Sequence, residues 1–143
     1  MLLRPEGKRP YEISGDIIMK HIGGCHCGAV KFEFEAPEAM PLTLCNCSIC
    51  DKVGFQHIFV PHDNLMFLRG KKELQIYTFG SHSAKHSFCP TCGVKPLYQP
   101  RSHPDKYSVN YRCVEPGTLQ ISETIEFDGQ NWEKNIHALH EKT

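Results

Sequence analysis

The sequence predicts a mainly β domain of antiparallel sheets with a short C-terminal helix, and three observations carry that expectation. In Ala29 to Glu35, Val30, Phe32 and Phe34 alternate with Lys31, Glu33 and Glu35, the period-two pattern of a half-buried strand. Similar apolar and β-branched runs follow at Phe55 to Val60, Leu74 to Phe79, Val94 to Tyr98, Tyr107 to Tyr111 and Thr118 to Phe127. Turn formers separate them at Pro61 to Asn64, Arg69-Gly70, Gly80-Ser81, Pro100 to Pro104 and Glu115 to Gly117. Near the end of the chain, Trp132, Ile136 and Leu139 recur at helical spacing after Asp128 and Asn131, two candidate caps.

A chain of 143 residues, 40% of them hydrophobic, encloses one core and is too short for a second. Residues 1–20 fit no core pattern and read as a flexible N-terminal arm, with Met19 an alternative start, so that 21–143 forms the single domain. Lys+Arg and Asp+Glu balance at 16 each, which leaves no broad field for gripping nucleic acid or an anionic membrane. No apolar run approaches the roughly 18 residues of a membrane span, and charges and prolines break the opening segment where a signal peptide needs an apolar stretch. The expectation is a cytoplasmic protein.

Eight cysteines in such a chain form either disulfides or metal sites, and in a reducing compartment metal is favoured. Seven fall in three tight groups, Cys25-His-Cys27, Cys45-Asn-Cys47-Ser-Ile-Cys50 and Cys89-Pro-Thr-Cys92, with Cys113 alone. Phe88 to Gly93 has the form of a zinc knuckle, in which a tight turn brings two thiolates to one ion at about 2.3 Å and the following glycine lets amides point at the sulfurs. A redox reading of Cys89 and Cys92 would need a βαβ setting that the strand pattern does not offer. Cys25 and Cys27, directly before a strand, can supply the other two ligands of a closed tetrahedral site if the sheet folds back. Cys45, Cys47 and Cys50 satisfy an ion except at one position, which is open to a ligand, as in catalytic zinc sites, or filled from elsewhere, with Cys113 one possible fourth ligand.

These motifs, in the order Gly24-Cys-His-Cys-Gly28, Cys45-Asn-Cys-Ser-Ile-Cys50, Tyr77-Thr-Phe79 and Phe88-Cys-Pro-Thr-Cys-Gly93, resemble the glutathione-dependent formaldehyde-activating family, which shares its domain with centromere protein V. The likeness runs from about Gly23 through Asp128 to Lys134, and Asn46, Ser48 and Tyr98 to Ser102 look closest to the centromere protein V branch. The resemblance implies a β-tent fold of antiparallel sheets pinned by two zinc ions. It assigns Cys25, Cys27, Cys89 and Cys92 to a structural zinc, and Cys45, Cys47 and Cys50 to a labile catalytic zinc. It further implies addition of glutathione to formaldehyde, giving S-hydroxymethylglutathione, a reaction classed with the carbon–sulfur lyases in reverse.

A zinc ion with an open position can hold the glutathione sulfur as a thiolate at neutral pH, and a nearby imidazole would manage the proton. Three thiolates also neutralise the ion and weaken it as a Lewis acid, so a non-enzymatic, zinc-stabilised interaction domain is the competing reading. A methionine sulfoxide reductase of the related zinc fold would need two Cys-x-x-Cys pairs, and the first pair here has the wrong spacing. Candidates for binding the glutathione carboxylates are Lys85, Arg101 and Arg112, and for carrying protons His57, His82 and His86.

Overall fold

The computed structural model describes residues 17–143. In chain order the strands are β1 (Ile18–Gly24), β2 (Lys31–Pro37), β3 (Ala39–Cys45), β4 (Gln56–Pro61), β5 (Leu65–Arg69), β6 (Gln75–Tyr77), β7 (His86–Phe88), β8 (Leu97–Tyr98), β9 (Lys106–Asn110) and β10 (Gln120–Phe127). Helix α1 (Ser48–Val53) lies between β3 and β4, and α2 (Trp132–Lys142) follows β10. Strands β1, β2 and β5 form an antiparallel sheet in the order β1-β2-β5, and β6 pairs with β7. The largest sheet has the order β10-β3-β4-β9-β8. It is antiparallel except at β10, which runs parallel to β3 and departs from the antiparallel expectation at that edge.

The alternation read from β2 is realised in space: Phe32, Phe34 and Ala36 are 0–1% exposed and face Leu42, Ile58, Val60, Leu97 and Val109 of the large sheet. Burial of side chains of this size contributes about 1.5–3 kcal/mol apiece before entropy is counted. Because successive strand residues point to opposite faces, Thr43, Cys45, His57, Phe59, Tyr98 and Ser108 stand on the other face of the large sheet. That second face is covered in part by α2, whose buried Ile136 and Leu139 pack on Ile125 and Phe127. Strand β10 reaches both layers through a bulge. Ile121 opposite Met40 packs on the central core, Ser122 has no partner in the register, and Ile125 and Phe127 then turn toward α2.

Several elements go beyond the sequence reading. Pro41 interrupts the apolar pattern of β3, and the strand accommodates a residue without an N–H where β10 bulges opposite it and where pairing to β4 has not begun. The run Val94 to Tyr98 narrows to Leu97–Tyr98 because Pro96 offers no ladder donor. Strand β1 takes in Ile18 to Lys20, the last residues of the expected arm, while residues 1–16 lie outside the described residues. Helix α2 starts where Trp132 predicted. Asn131 occupies its cap position without a side-chain capping hydrogen bond, and the Asp128 carboxylate instead accepts from Asn46 and Asn131. No helix among the described residues is long and apolar enough to cross a membrane.

Candidate metal centres and cleft

Two groups of thiols converge from separate parts of the chain. The β1–β2 connection carries Cys25 and Cys27, the β7–β8 connection carries Cys89 and Cys92, and all four sulfurs lie within 4.8 Å of one another. Sγ of Cys27 is 3.6 Å from both Cys25 Sγ and Cys89 Sγ. A tetrahedral zinc with bonds of about 2.3 Å separates its sulfurs by about 3.8 Å, so the spacing and the all-thiol donor set fit that ion. Local backbone prepares the site. Gly93 takes φ +76°, a conformation that a side chain disfavours, and donates its N–H to Cys89 O at 2.7 Å. On the opposite loop Val30 N–H donates to Cys25 Sγ at 3.3 Å. The amides of Cys27 and Val94 hold the Cys92 thiol down to about 6.

The second group is Cys45 at the end of β3, Cys47 in extended backbone just before α1, and Cys50 on the helix, again with sulfurs within 4.8 Å of one another. The six-residue α1 turns Cys50 back onto the other two. Cys45 and Cys50 hold the Cys47 thiol well below the ordinary range, and Cys45 and Cys47 push Cys50 above it. Asn46 straps this segment down. Its Nδ2 donates to Asp128 Oδ1 at 3.0 Å, its Oδ1 accepts from Gln130 N–H at 3.1 Å, and its carbonyl accepts from Gln130 Nε2 at 3.1 Å. Gly129 is thereby pressed on the cluster, so closely that a Cβ there would lie 2.5 Å from Cys45 Sγ.

Among the described residues no further Cys, His, Asp or Glu ligand atom joins this trio. Cys113 lies elsewhere: its Sγ is 3.8 Å from Lys95 O, and burial, followed by the nearby Cys25 and Cys92, pushes its thiol up to about 11. The trio therefore offers three thiol donors and leaves one position of a tetrahedral ion that no Cys, His or carboxylate among the described residues fills.

A cleft of about 470 Å³ opens over the trio, lined by Cys45, Cys47 and Cys50 together with Thr43, His57, Phe79, Phe127, Arg101 and Trp132 among others. His57 is 3% exposed, and its Nδ1 is hydrogen bonded to Ser108 Oγ at 2.7 Å. Burial pulls its pKa down to about 4, so the imidazole is neutral at pH 7. Tyr98 Oη lies 3.4 Å from the same nitrogen, and burial holds this phenol well above its usual range. At the rim, Arg101 stacks over Trp132 at 3.8 Å and pairs with Glu133 at 3.1 Å.

Of the histidines and basic residues singled out from sequence, His57, His86 and Arg101 line the cleft. His82, Lys85 and Arg112 do not; Lys85 Nζ is turned to His82 O at 2.8 Å. Sequence reasoning missed Thr43 and Gly129. Thr43 shares a strand face with Cys45 and could have been found had β3 been recognised; Gly129 carries no local signal.

The family model described as "Glutathione-dependent formaldehyde-activating enzyme" matches residues 20–135. A Halomonas elongata protein named "Putative glutathione-dependent formaldehyde-activating enzyme" is 53% identical over 32 residues, a stretch that spans 22% of this chain and only 20% of that relative. The crystal structure of a Rhodobacter sphaeroides protein is similar with a TM-score of 0.61 and 37% identity, covering 73% of this chain and all of the other.

Proposed function

The chain belongs to the glutathione-dependent formaldehyde-activating family, and from that premise we propose that its cleft holds glutathione for addition to formaldehyde or a related small aldehyde, a carbon–sulfur lyase reaction in reverse. One observation carries the reading: three thiols, with no fourth ligand among the described residues, converge in a cleft of about 470 Å³. In this proposal Cys25, Cys27, Cys89 and Cys92 hold a structural zinc, and Cys45, Cys47 and Cys50 hold a second, more labile and catalytic one. When bound at the second site, zinc lowers the pKa of a thiol sulfur so that it is a thiolate at neutral pH.

The surrounding residues supply binding and exclusion of water. Phe79, Phe127 and Trp132 give the cleft apolar walls. Arg101 presents a guanidinium fork to a substrate carboxylate. Its pairing with Glu133 does not prevent this, because the Glu133 side chain is 84% exposed and such surface pairs contribute about 0–1 kcal/mol. Eight unpaired cysteines accord with a cytoplasmic, reducing setting.

The test is titration calorimetry of glutathione into protein of measured zinc content, with formation of S-hydroxymethylglutathione followed against the spontaneous rate. Cys47→Ser is expected to lose the second zinc and glutathione binding while the four-cysteine site keeps the fold. If the protein with both zinc ions bound neither accelerates the reaction nor binds glutathione at millimolar concentration, the interaction-domain reading replaces this one.

A further inference from the structure

Thr43 on β3 and His57 on β4 are direct cross-strand partners. Both are buried, Thr43 at 1% and His57 at 3% exposure, and both line the cleft beside Cys45, two residues along from Thr43. Thr43 Oγ1 and His57 Nε2 have no hydrogen-bond partner among the described residues. Buried polar atoms are nearly always paired, since leaving one unsatisfied is costly. Two such atoms side by side, on the face that carries the thiols, mark a place where a ligand atom completes the bonding.

The chemistry of the pair says which kind of atom. The Thr43 hydroxyl both donates and accepts, and His57 Nε2 does one or the other according to how Ser108 meets Nδ1 at 2.7 Å. The group that satisfies both partners in either arrangement is a neutral hydroxyl. We infer that Thr43 and His57 form an oxygen subsite that takes the hydroxyl of an S-hydroxymethyl thiol adduct and so distinguishes the adduct from the free thiol. The inference rests on the reading of the cleft as a thiol–aldehyde site and adds the residues that recognise the aldehyde-derived end.

The experiment compares three ligands on zinc-replete protein by calorimetry: glutathione, glutathione equilibrated with formaldehyde, and S-ethylglutathione, in which a methyl replaces the adduct hydroxyl. The wild-type protein should bind the hydroxymethyl adduct about tenfold more tightly than S-ethylglutathione. Thr43→Val, which keeps the shape, and His57→Asn, which keeps the Ser108-facing group and removes the unpartnered one, should each cut that ratio several-fold. Thr43→Ser and His57→Gln should restore it in part, with affinity for glutathione and zinc content unchanged throughout. A wild-type ratio near one, or a ratio that Thr43→Val leaves intact, overturns the subsite while the thiol reading stands. Failure of all three ligands to bind the wild-type protein overturns the thiol reading and the subsite with it.

Discussion

Replacing Gly129 by Ala would drive a methyl group into the three-cysteine cluster. The added Cβ would sit 2.5 Å from Cys45 Sγ and 3.1 Å from Cys47 Cβ, where ordinary contacts begin at 3.4 Å. The surroundings must therefore give by about 1 Å at the sulfur, in a packed interior that does not yield freely. Retreat of residue 129 is opposed by the hydrogen bonds that tie Asp128 and Gln130 to Asn46 on the cysteine segment itself. Overpacking of this kind costs about 1–3 kcal/mol. If the strain falls on the thiols, affinity for metal at Cys45, Cys47 and Cys50 drops by roughly 5- to 150-fold. The four-cysteine site, built on other loops, should be unaffected and serves as the internal control. Competitive titration with a zinc chelator, resolving two classes of bound ion, measures both sites in one sample. Equal affinities and an equal melting temperature in wild type and Gly129→Ala would refute the claim that Gly129 is kept small by the cluster beneath it.

Cys89 is fully buried, and Cys89→Ser should lose the ion of the four-cysteine site, whose binding contributes roughly 10–16 kcal/mol in small zinc modules. Thermal melts followed by circular dichroism should show loss of the cooperative transition, and a metal-free Cys89→Ser that melts cooperatively near the wild-type temperature would contradict it. Phe34, 1% exposed in the main core, should cost about 3–5 kcal/mol on replacement by Ala, read from urea unfolding midpoints; a loss under about 1 kcal/mol would show that the core re-collapses. Burial brings His57 and His103 both down to about 4 from an unfolded value of 6.5. Their contribution to stability is therefore complete above pH 6.5 and lost as pH falls toward 4, by on the order of 3 kcal/mol for each imidazole. His103→Asn should flatten that slope relative to wild type in melts between pH 7 and pH 5, and an unchanged slope would show that the imidazole is not the group responsible.

What could be read from the chain alone follows the range of the forces involved. The cysteine groups were legible because two or three ligands for one ion must come from a short turn, so the spacing itself encodes the chemistry. Strand β2 was legible because one of its faces lies wholly in the core, and α2 because its buried residues share a helical stripe. Strand β3 was hidden by Pro41, whose tolerance depends on a bulge in a strand some eighty residues later. Helix α1 was hidden because six residues have too little intrinsic helicity to leave a pattern. The role of Thr43 needs its pairing with His57, and the placement of Cys113 by the first cluster rather than the second needs the whole topology. The parallel pairing of β10 with β3 is likewise a long-range fact that no local run of residues announces.

The unpaired Ser122 in β10 has a consequence for how this protein tolerates change in chain length. On its N-terminal side Ile121 belongs to the central core; on its C-terminal side Ile125 and Phe127 belong to the layer under α2. The bulge lets two apolar residues four apart in sequence, Ile121 and Ile125, face different compartments. Deleting Ser122 would close the bulge and keep Glu123 opposite Pro41 and Ile125 opposite Thr43, whereas inserting one residue between Glu123 and Ile125 would rotate Ile125 and Phe127 away from the cleft. Shortening β10 at Ser122 should thus be tolerated, while lengthening it by one residue past Glu123 should take down the wall of the cleft and the seat of α2 together.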